Sequence, residues 1–364
     1  MLALQVVVFA LGLLVVLRAL LSAVRTFVVP RGAYDRLSSF EFRMLGRLFR
    51  AVARPRFGYE RRDAIMALFA PIALVILPIM LLAIVLVGFA AMFWAIEPAP
   101  IEAVVRDSGS ALLTLGFAPV QGWGSMILAF AEAAIGLIMI TLLIAYLPTM
   151  YTAFQRREAF VSKVGVRAGT PPSGTELLIR FWSVGLLDAI TDLWTEAETW
   201  FIEIEESHTT LAALPFYRSP RSDRSWITAA GAIMDGAALL RSTVDVPVEP
   251  RSDLAISAGY ETLDAIAGFF RIPTIARPAR AGDPILVTRA EYDAAVGELA
   301  RAGLPLRPDR EQAWLDFAGW RVNYEHALLR LSSVIMAPEA RWNEWPRREA
   351  ARSGQAGSSQ ASSS

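Results

Sequence analysis

The chain has 364 residues, 54% of them hydrophobic, and its 35 basic and 35 acidic residues cancel to no net charge. A neutral chain lacks the positive field that a nucleic-acid-binding protein needs. Without cysteine it has no disulfide framework and no thiolate metal site, and only His208 and His326 supply imidazole. The length leaves room for two domains, and the apolar excess lies before Arg156. Lys163 is the single lysine; every other basic residue is arginine, a bias that suggests a GC-rich bacterial genome.

Residues 1–28 predict a first transmembrane helix. Leu2–Leu17 is apolar apart from Gln5, and the charges Arg18 and Arg25 come after the run rather than before it. A cleaved signal peptide has the opposite order. The segment is read either as a retained helix, with Arg18 reaching toward headgroups, or as a simple anchor.

Residues 29–63 form an Arg-rich loop; from Arg25 to Asp63 the chain carries ten arginines against Asp35, Glu41, Glu60 and Asp63. Such an excess marks a cytoplasmic loop. Within it, Ser38 followed by Glu41 has the spacing of a capping box. Phe42, Leu45, Phe49 and Val52 then recur at helical spacing, beside a stripe of Arg43, Arg47, Arg50 and Arg54. This pattern predicts a helix lying in the bilayer interface with its arginines on anionic lipid. The alternative is a topology signal that packs on the rest of the protein.

Residues 64–157 contain two further apolar runs, Ala64–Ile96 and Val120–Phe154. Each exceeds the ~20 residues that cross a bilayer. Pro71 and Pro78 allow the first to kink, and Trp94 suits an interface. Between the runs, Pro98–Leu113 predicts a short helix starting near Pro100. Thr114–Ala118 then leads to Pro119, still apolar. An apolar connection tied at both ends to spanning helices is read as re-entrant, because irregular backbone at membrane depth must be buried in protein or line a water-filled path. Carbonyl groups on such a path form a selectivity filter. The alternative is an outer loop that caps a helical bundle.

Thr114-Leu115-Gly116-Phe117 resembles the Thr-Val-Gly-Tyr filter of potassium channels. Phe130–Met139, with Glu132 and Gly136, resembles the Glu-x-x-x-Gly inner helix of bacterial two-helix pore domains. The resemblance covers roughly 64–150. It implies a homotetramer conducting K⁺ or another monovalent cation, with Thr114, Leu115, Gly116, Phe117 and Ala118 as the ion filter. Where that family continues with Gly and usually Asp, this chain has Ala118 and Pro119.

Glu132 is the single charge of its run, and an intramembrane carboxylate is a functional candidate. It is expected either to brace the filter through Ser108 or Ser110 on the short helix, or to make an ordinary helix–helix hydrogen bond. Gly136 is expected to act as a hinge or to permit close packing. Thr141, Ile144 and Pro148 follow it as candidate gate positions.

Residues 158–174 read as a linker ending in Arg167–Gly174, and 175–345 as a helical cytoplasmic domain. Its expected helices are Glu176–Leu187, Asp188–Glu206, Ser225–Ser242, Ser252–Phe270, Thr288–Ala302 and Arg310–Ile335. Residues 346–364, ending in Gly and Ser, read as a disordered tail. Glu205-x-x-His208 is half of a di-iron pattern, but the matching position before His326 is Asn323, so no metal site is expected and a solvated acidic helix is the reading. No phosphate loop, nucleophile elbow or dinucleotide fingerprint occurs. The tryptophans of 175–345 are read as core or subunit contacts.

The expectation is an all-α membrane protein with three transmembrane helices and one re-entrant pore loop, followed by a helical cytoplasmic domain. It lies in a bacterial inner membrane, N-terminus outside. It is expected to be a cation channel rather than an enzyme, without cofactor. The alternative is a non-conducting scaffold or sensor whose helical domain binds a partner.

Overall fold

Three uninterrupted apolar runs become three long helices. The computed structural model describes residues 1–29, 36–54, 56–247, 250–273 and 283–343; among these the chain is helical, with one isolated bridge between Val244 and Leu306 and no strand. The expected tail, 346–364, lies outside the described residues, as do Arg31 and Asp35 of the Arg-rich loop. Two compact units form. One comprises Met1–Phe57, Ile65–Thr152 and Thr210–Tyr217; the other comprises Gly58–Ala64, Ala153–Thr209 and the chain from Arg218 onward.

The helices Leu2–Phe27, Tyr59–Ile96 and Trp123–Ala168 are long and apolar enough to cross a membrane, the mark of a membrane protein. The first is α1. The second breaks at Leu68 into α3 (Tyr59–Ala67) and α4 (Phe69–Ile96). Pro71 sits in the first turn of α4, where its missing N–H costs nothing, and Pro78 lies inside the helix. Between α1 and α3, α2 runs from Arg36 to Val52, and between α4 and the third long helix, α5 covers Ile101–Leu112.

In the first unit α1 packs on α4 through Gly12, Val16, Ala19 and Ala23, one stripe of the helix. At the crossing the backbones nearly touch. A Cβ at Gly12 would lie 2.5 Å from Gly88 O, and one at Gly88 would lie 2.6 Å from Val16 Cγ2. Association between apolar helices in lipid depends on such close packing, because lipid tails are as apolar as leucine.

α2 turns a different face inward from the one its arginines suggested. Phe42 and Phe49 pack edge-to-face on Phe69, and Phe42 also meets Phe216, from the Thr210–Tyr217 segment that joins this unit. Leu45 is buried with them. Of the four apolar positions at helical spacing, Phe42, Leu45, Phe49 and Val52, only Val52 stays outside; Phe40, Met44 and Leu48 accompany it, each at least half exposed.

Glu41 lies on the inner face, 1% exposed, and among the described residues neither carboxylate oxygen has a hydrogen-bond partner. Burial pushes its pKa up from 4.5 to about 7. The folded protein therefore keeps the Glu41 proton over a range in which the unfolded chain has lost it. Stability is highest at and below pH ~4.5, falls as pH rises toward 7, and is level above that. Glu41→Gln is expected to raise the melting temperature at pH 8 by several degrees and to leave it unchanged at pH 4.5. A parent–variant difference that stays constant across that range would show that Glu41 is not the source.

The second unit is built around α9 (Trp226–Ser242), buried at every position except Arg241. A helix apolar on all sides belongs at the centre of a bundle. Around it lie α7 (Gly174–Ser183), α8 (Ile190–Thr210), α10 (Pro250–Phe269), α11 (Arg289–Arg301), α12 (Arg310–Arg321) and α13 (Glu325–Ile335). The helix starts follow capping chemistry: Ser173 and Asp309 accept N–H groups of the first turns of α7 and α12, and Thr288 with Glu291 forms a capping box on α11. The expected single helix over Arg310–Ile335 divides in two. Asn323 Nδ2 donates back to Gly319 O at 2.9 Å, and Tyr324 reaches the buried Asp235.

α6 is Trp123–Ala168, 46 residues and about 70 Å long. The expected end of the inner helix at Phe154 is a change of composition and not of backbone. Of the expected linker 158–174, only 169–173 is non-helical.

Candidate functional site

In the first unit the C-terminal half of α5, the 113–122 segment and α6 meet, and the hydroxyls of Ser108 and Ser110 organise the contact. Both serines are buried. Ser108 Oγ lies 2.5 Å from Glu132 Oε1 on α6 and 3.0 Å from Leu86 O on α4, so one hydroxyl ties three helices. Glu132 is fully buried, and among the described residues its Oε2 has no hydrogen-bond partner. Ser110 does not reach Glu132. Its Oγ accepts from Ala118 N at 3.1 Å, and its carbonyl accepts from Leu115 N at 2.9 Å and Gly116 N at 3.5 Å.

Three N–H groups of the segment thus point back toward the end of α5. Thr114 N adds a fourth bond, to Ala111 O at 3.0 Å. Among the described residues, the carbonyl oxygens of Thr114, Leu115, Gly116, Phe117 and Ala118 accept no hydrogen bond. This one-sided arrangement needs unusual torsions. Gly116 has φ +70°, which glycine adopts freely; Thr114 has φ +53°, which a β-branched residue rarely accepts. Strain of this kind persists where surrounding bonds over-determine it and gathers at functional sites. The side chains of Leu115 and Phe117 are exposed.

Gly136 meets the last turn of α5. A Cβ there would lie 2.2 Å from Leu112 O, so α6 and α5 touch backbone to backbone at this point. Thr141, Ile144 and Pro148 lie farther along α6, where Thr141 and Ile144 are exposed and Pro148 is inside a continuous helix. Thr141 Oγ1 donates to Leu137 O at 2.8 Å, Thr149 Oγ1 to Ala145 O at 3.2 Å and Thr152 Oγ1 to Pro148 O at 2.9 Å. The structure therefore brings together Ser108, Ser110, Glu132, Gly136 and the 114–118 segment. It does not bring the three later positions to them. The carbonyls of Leu86 and Leu112 were not singled out by sequence, which carries no signal for a backbone contact.

The second unit holds a buried charge cluster that the sequence reading passed over, although Asp235 is the lone acid in the apolar run of α9. The Arg321 guanidinium pairs with Asp235 and, at 3.1 Å, with Glu325 Oε1, and it donates to Trp342 O at 2.7 Å. Tyr324 OH donates to Asp235 Oδ1 at 2.8 Å, while Glu325 accepts the N–H groups of Leu286 at 2.5 Å and Val287 at 3.3 Å. Burial opposes the charge on Arg321, but Asp235 and Glu325 outweigh it and hold its pKa above the ordinary value. Arg218 plays a second structural part. It joins Asp63 Oδ1 at 2.8 Å to the carbonyls of Ile335 and Met336 that end α13.

His208 is turned inward against Trp226, ring centroids 4.8 Å apart, rather than toward solvent beside the acidic residues of α8. Burial, reinforced by nearby Arg157, holds its pKa well below the ordinary value, so it is a neutral ring near pH 7. Among the described residues, no three His, Asp or Glu side chains converge on a metal position. Compared with protein-family models, with curated proteins and with solved structures, the chain matches none.

Proposed function

We propose that the chain forms a cation-conducting pore in a bacterial inner membrane, four copies closing a ring around the 114–118 segments. The observation that carries this reading is the segment's polarity. The N–H groups of Thr114, Leu115, Gly116 and Ala118 are held by Ser110 and Ala111, and among the described residues the five consecutive carbonyl oxygens accept no hydrogen bond. Such oxygens replace the hydration shell of a cation and have nothing to offer an anion. Ser108 and Glu132 brace α5 from behind, and Gly136 sets how closely α6 approaches it. The exposed Leu115 and Phe117 are covered by neighbouring copies. The arginine excess of residues 25–62 supports an orientation with that loop and the helical second unit in the cytoplasm and the N-terminus outside.

The test is flux of K⁺, Na⁺ and Cl⁻ from liposomes carrying the purified chain, with Gly116→Asp as control. That substitution puts a side chain where φ is +70° and a carboxylate beside the carbonyls. Cation flux abolished by Gly116→Asp is expected. K⁺ far above Na⁺ gives a selective filter despite Ala118; equal rates give an unselective pore. Chloride flux, or no flux in liposomes where tetramers are seen, overturns the reading.

A second reading, a non-conducting scaffold with a partner-binding helical domain, is favoured by one feature. In the second unit a cleft of about 470 Å³ opens over Phe181 and Leu193, with Val166, Val184 and Leu186 exposed at its rim.

A further inference from the structure

Among the described residues, the outer side of α2 has two neighbouring exposed sectors. Phe40, Met44, Leu48 and Val52 follow one another at intervals of four residues and are each at least half exposed. Arg43, Arg47 and Arg50 form the adjoining sector and are exposed as well. The helix carries one acidic residue, Glu41, and it is buried. The outer surface is therefore purely apolar and cationic.

Its position is set by the apolar helices. Phe42 and Phe49 grip Phe69 at the start of α4, and Thr26 Oγ1 near the end of α1 lies 2.8 Å from Ser38 Oγ in the first turn of α2. Both anchors lie where helices long enough to cross a membrane begin or end. A helix fixed there, with an apolar row beside an arginine row, fits one kind of surface: acyl chains next to negatively charged headgroups.

We infer that α2 docks on an anionic lipid surface, with Phe40, Met44, Leu48 and Val52 inserted among the acyl chains and Arg43, Arg47 and Arg50 on the phosphate groups. Phe42, Leu45 and Phe49 hold the helix to the protein. The inference uses the three apolar helices but not conduction, and it stands or falls apart from the pore.

The absence of native cysteine makes the test direct. A polarity-sensitive fluorophore is attached to Leu48→Cys or Met44→Cys in the full-length chain. The protein is placed in nanodiscs of phosphatidylcholine alone or with phosphatidylglycerol. With the anionic lipid, emission is expected to shift to the blue, brominated acyl chains to quench it, and aqueous iodide not to. Arg47→Gln is expected to weaken the preference for the anionic lipid about fivefold, and the triple change at Arg43, Arg47 and Arg50 about a hundredfold. Soluble glycerol phosphate at millimolar concentration leaves the signal unchanged if the lipid surface is the ligand; reproducing the shift with it would make a free phosphate the ligand and overturn the inference. A label open to iodide in both lipids overturns it too. So does a label closed to both quenchers that forms disulfides between copies, which would assign the stripe to a subunit contact. If the triple variant does not fold, the single variants, scored by the same quenching ratio, decide.

Discussion

Replacing Arg321 with methionine is expected to destabilise the second unit by about 3–5 kcal/mol. The loss comes less from the missing ion pair than from what remains. Asp235 and Glu325 stay buried, each without its cation, and the Trp342 carbonyl loses its donor. Two carboxylates in a low-dielectric interior then take up protons or water, and α9 loses its ion pair to α12. Thermal unfolding followed by tryptophan fluorescence checks this. The double variant Asp235→Leu with Arg321→Met removes both charges and is expected to recover part of the loss, since well-packed apolar pairs replace buried ion pairs at little cost. A single variant as stable as the parent would mean that the cluster contributes nothing to the fold.

Gly136→Ala has an effect whose sign decides between two roles. In a helix that only needs to bend, alanine is preferred over glycine by about 1 kcal/mol, so the variant would be more stable and altered only in gating. With Leu112 O 2.2 Å from the added Cβ, the methyl group has no room, and the obstacle is backbone that no rotamer change relieves. The expected result is a loss of about 3 kcal/mol or more as α6 is pushed from α5, together with loss of any flux. Thr141→Val, on the exposed side of the same helix, serves as the neutral comparison. Melting of the detergent-solubilised protein reads the sign; a more stable Gly136→Ala protein would return the glycine to the role of hinge.

How far the sequence reached depends on the range of the forces involved. The three long helices and α5 were legible because apolar runs and Pro100 are local signals. The end of α6 was not. Arg156 and Arg157 end the apolar run, but the hydrogen bonds of a helix continue past a change of solvent, and this one continues to Ala168. On α2 two apolar rows share one helix, and spacing alone does not say which of them meets Phe69 and Phe216. Glu132 with a serine of α5 was within reach, since the run holds one charge and the short helix few hydroxyls. The Leu112–Gly136 approach depends on how two helices slide along each other, and the Asp235–Arg321 pair joins residues 86 positions apart; neither leaves a mark in a linear pattern.

The threonines of α6 carry a chemical asymmetry. A hydroxyl has one proton, and Thr141, Thr149 and Thr152 have each given theirs to the carbonyl four residues back. Pro148 has no N–H, so the Ile144 carbonyl loses its helical donor and adds another electron pair to the same stretch. From Thr141 to Thr152 these groups can receive a proton donor or a bare positive charge and have no proton to give in return.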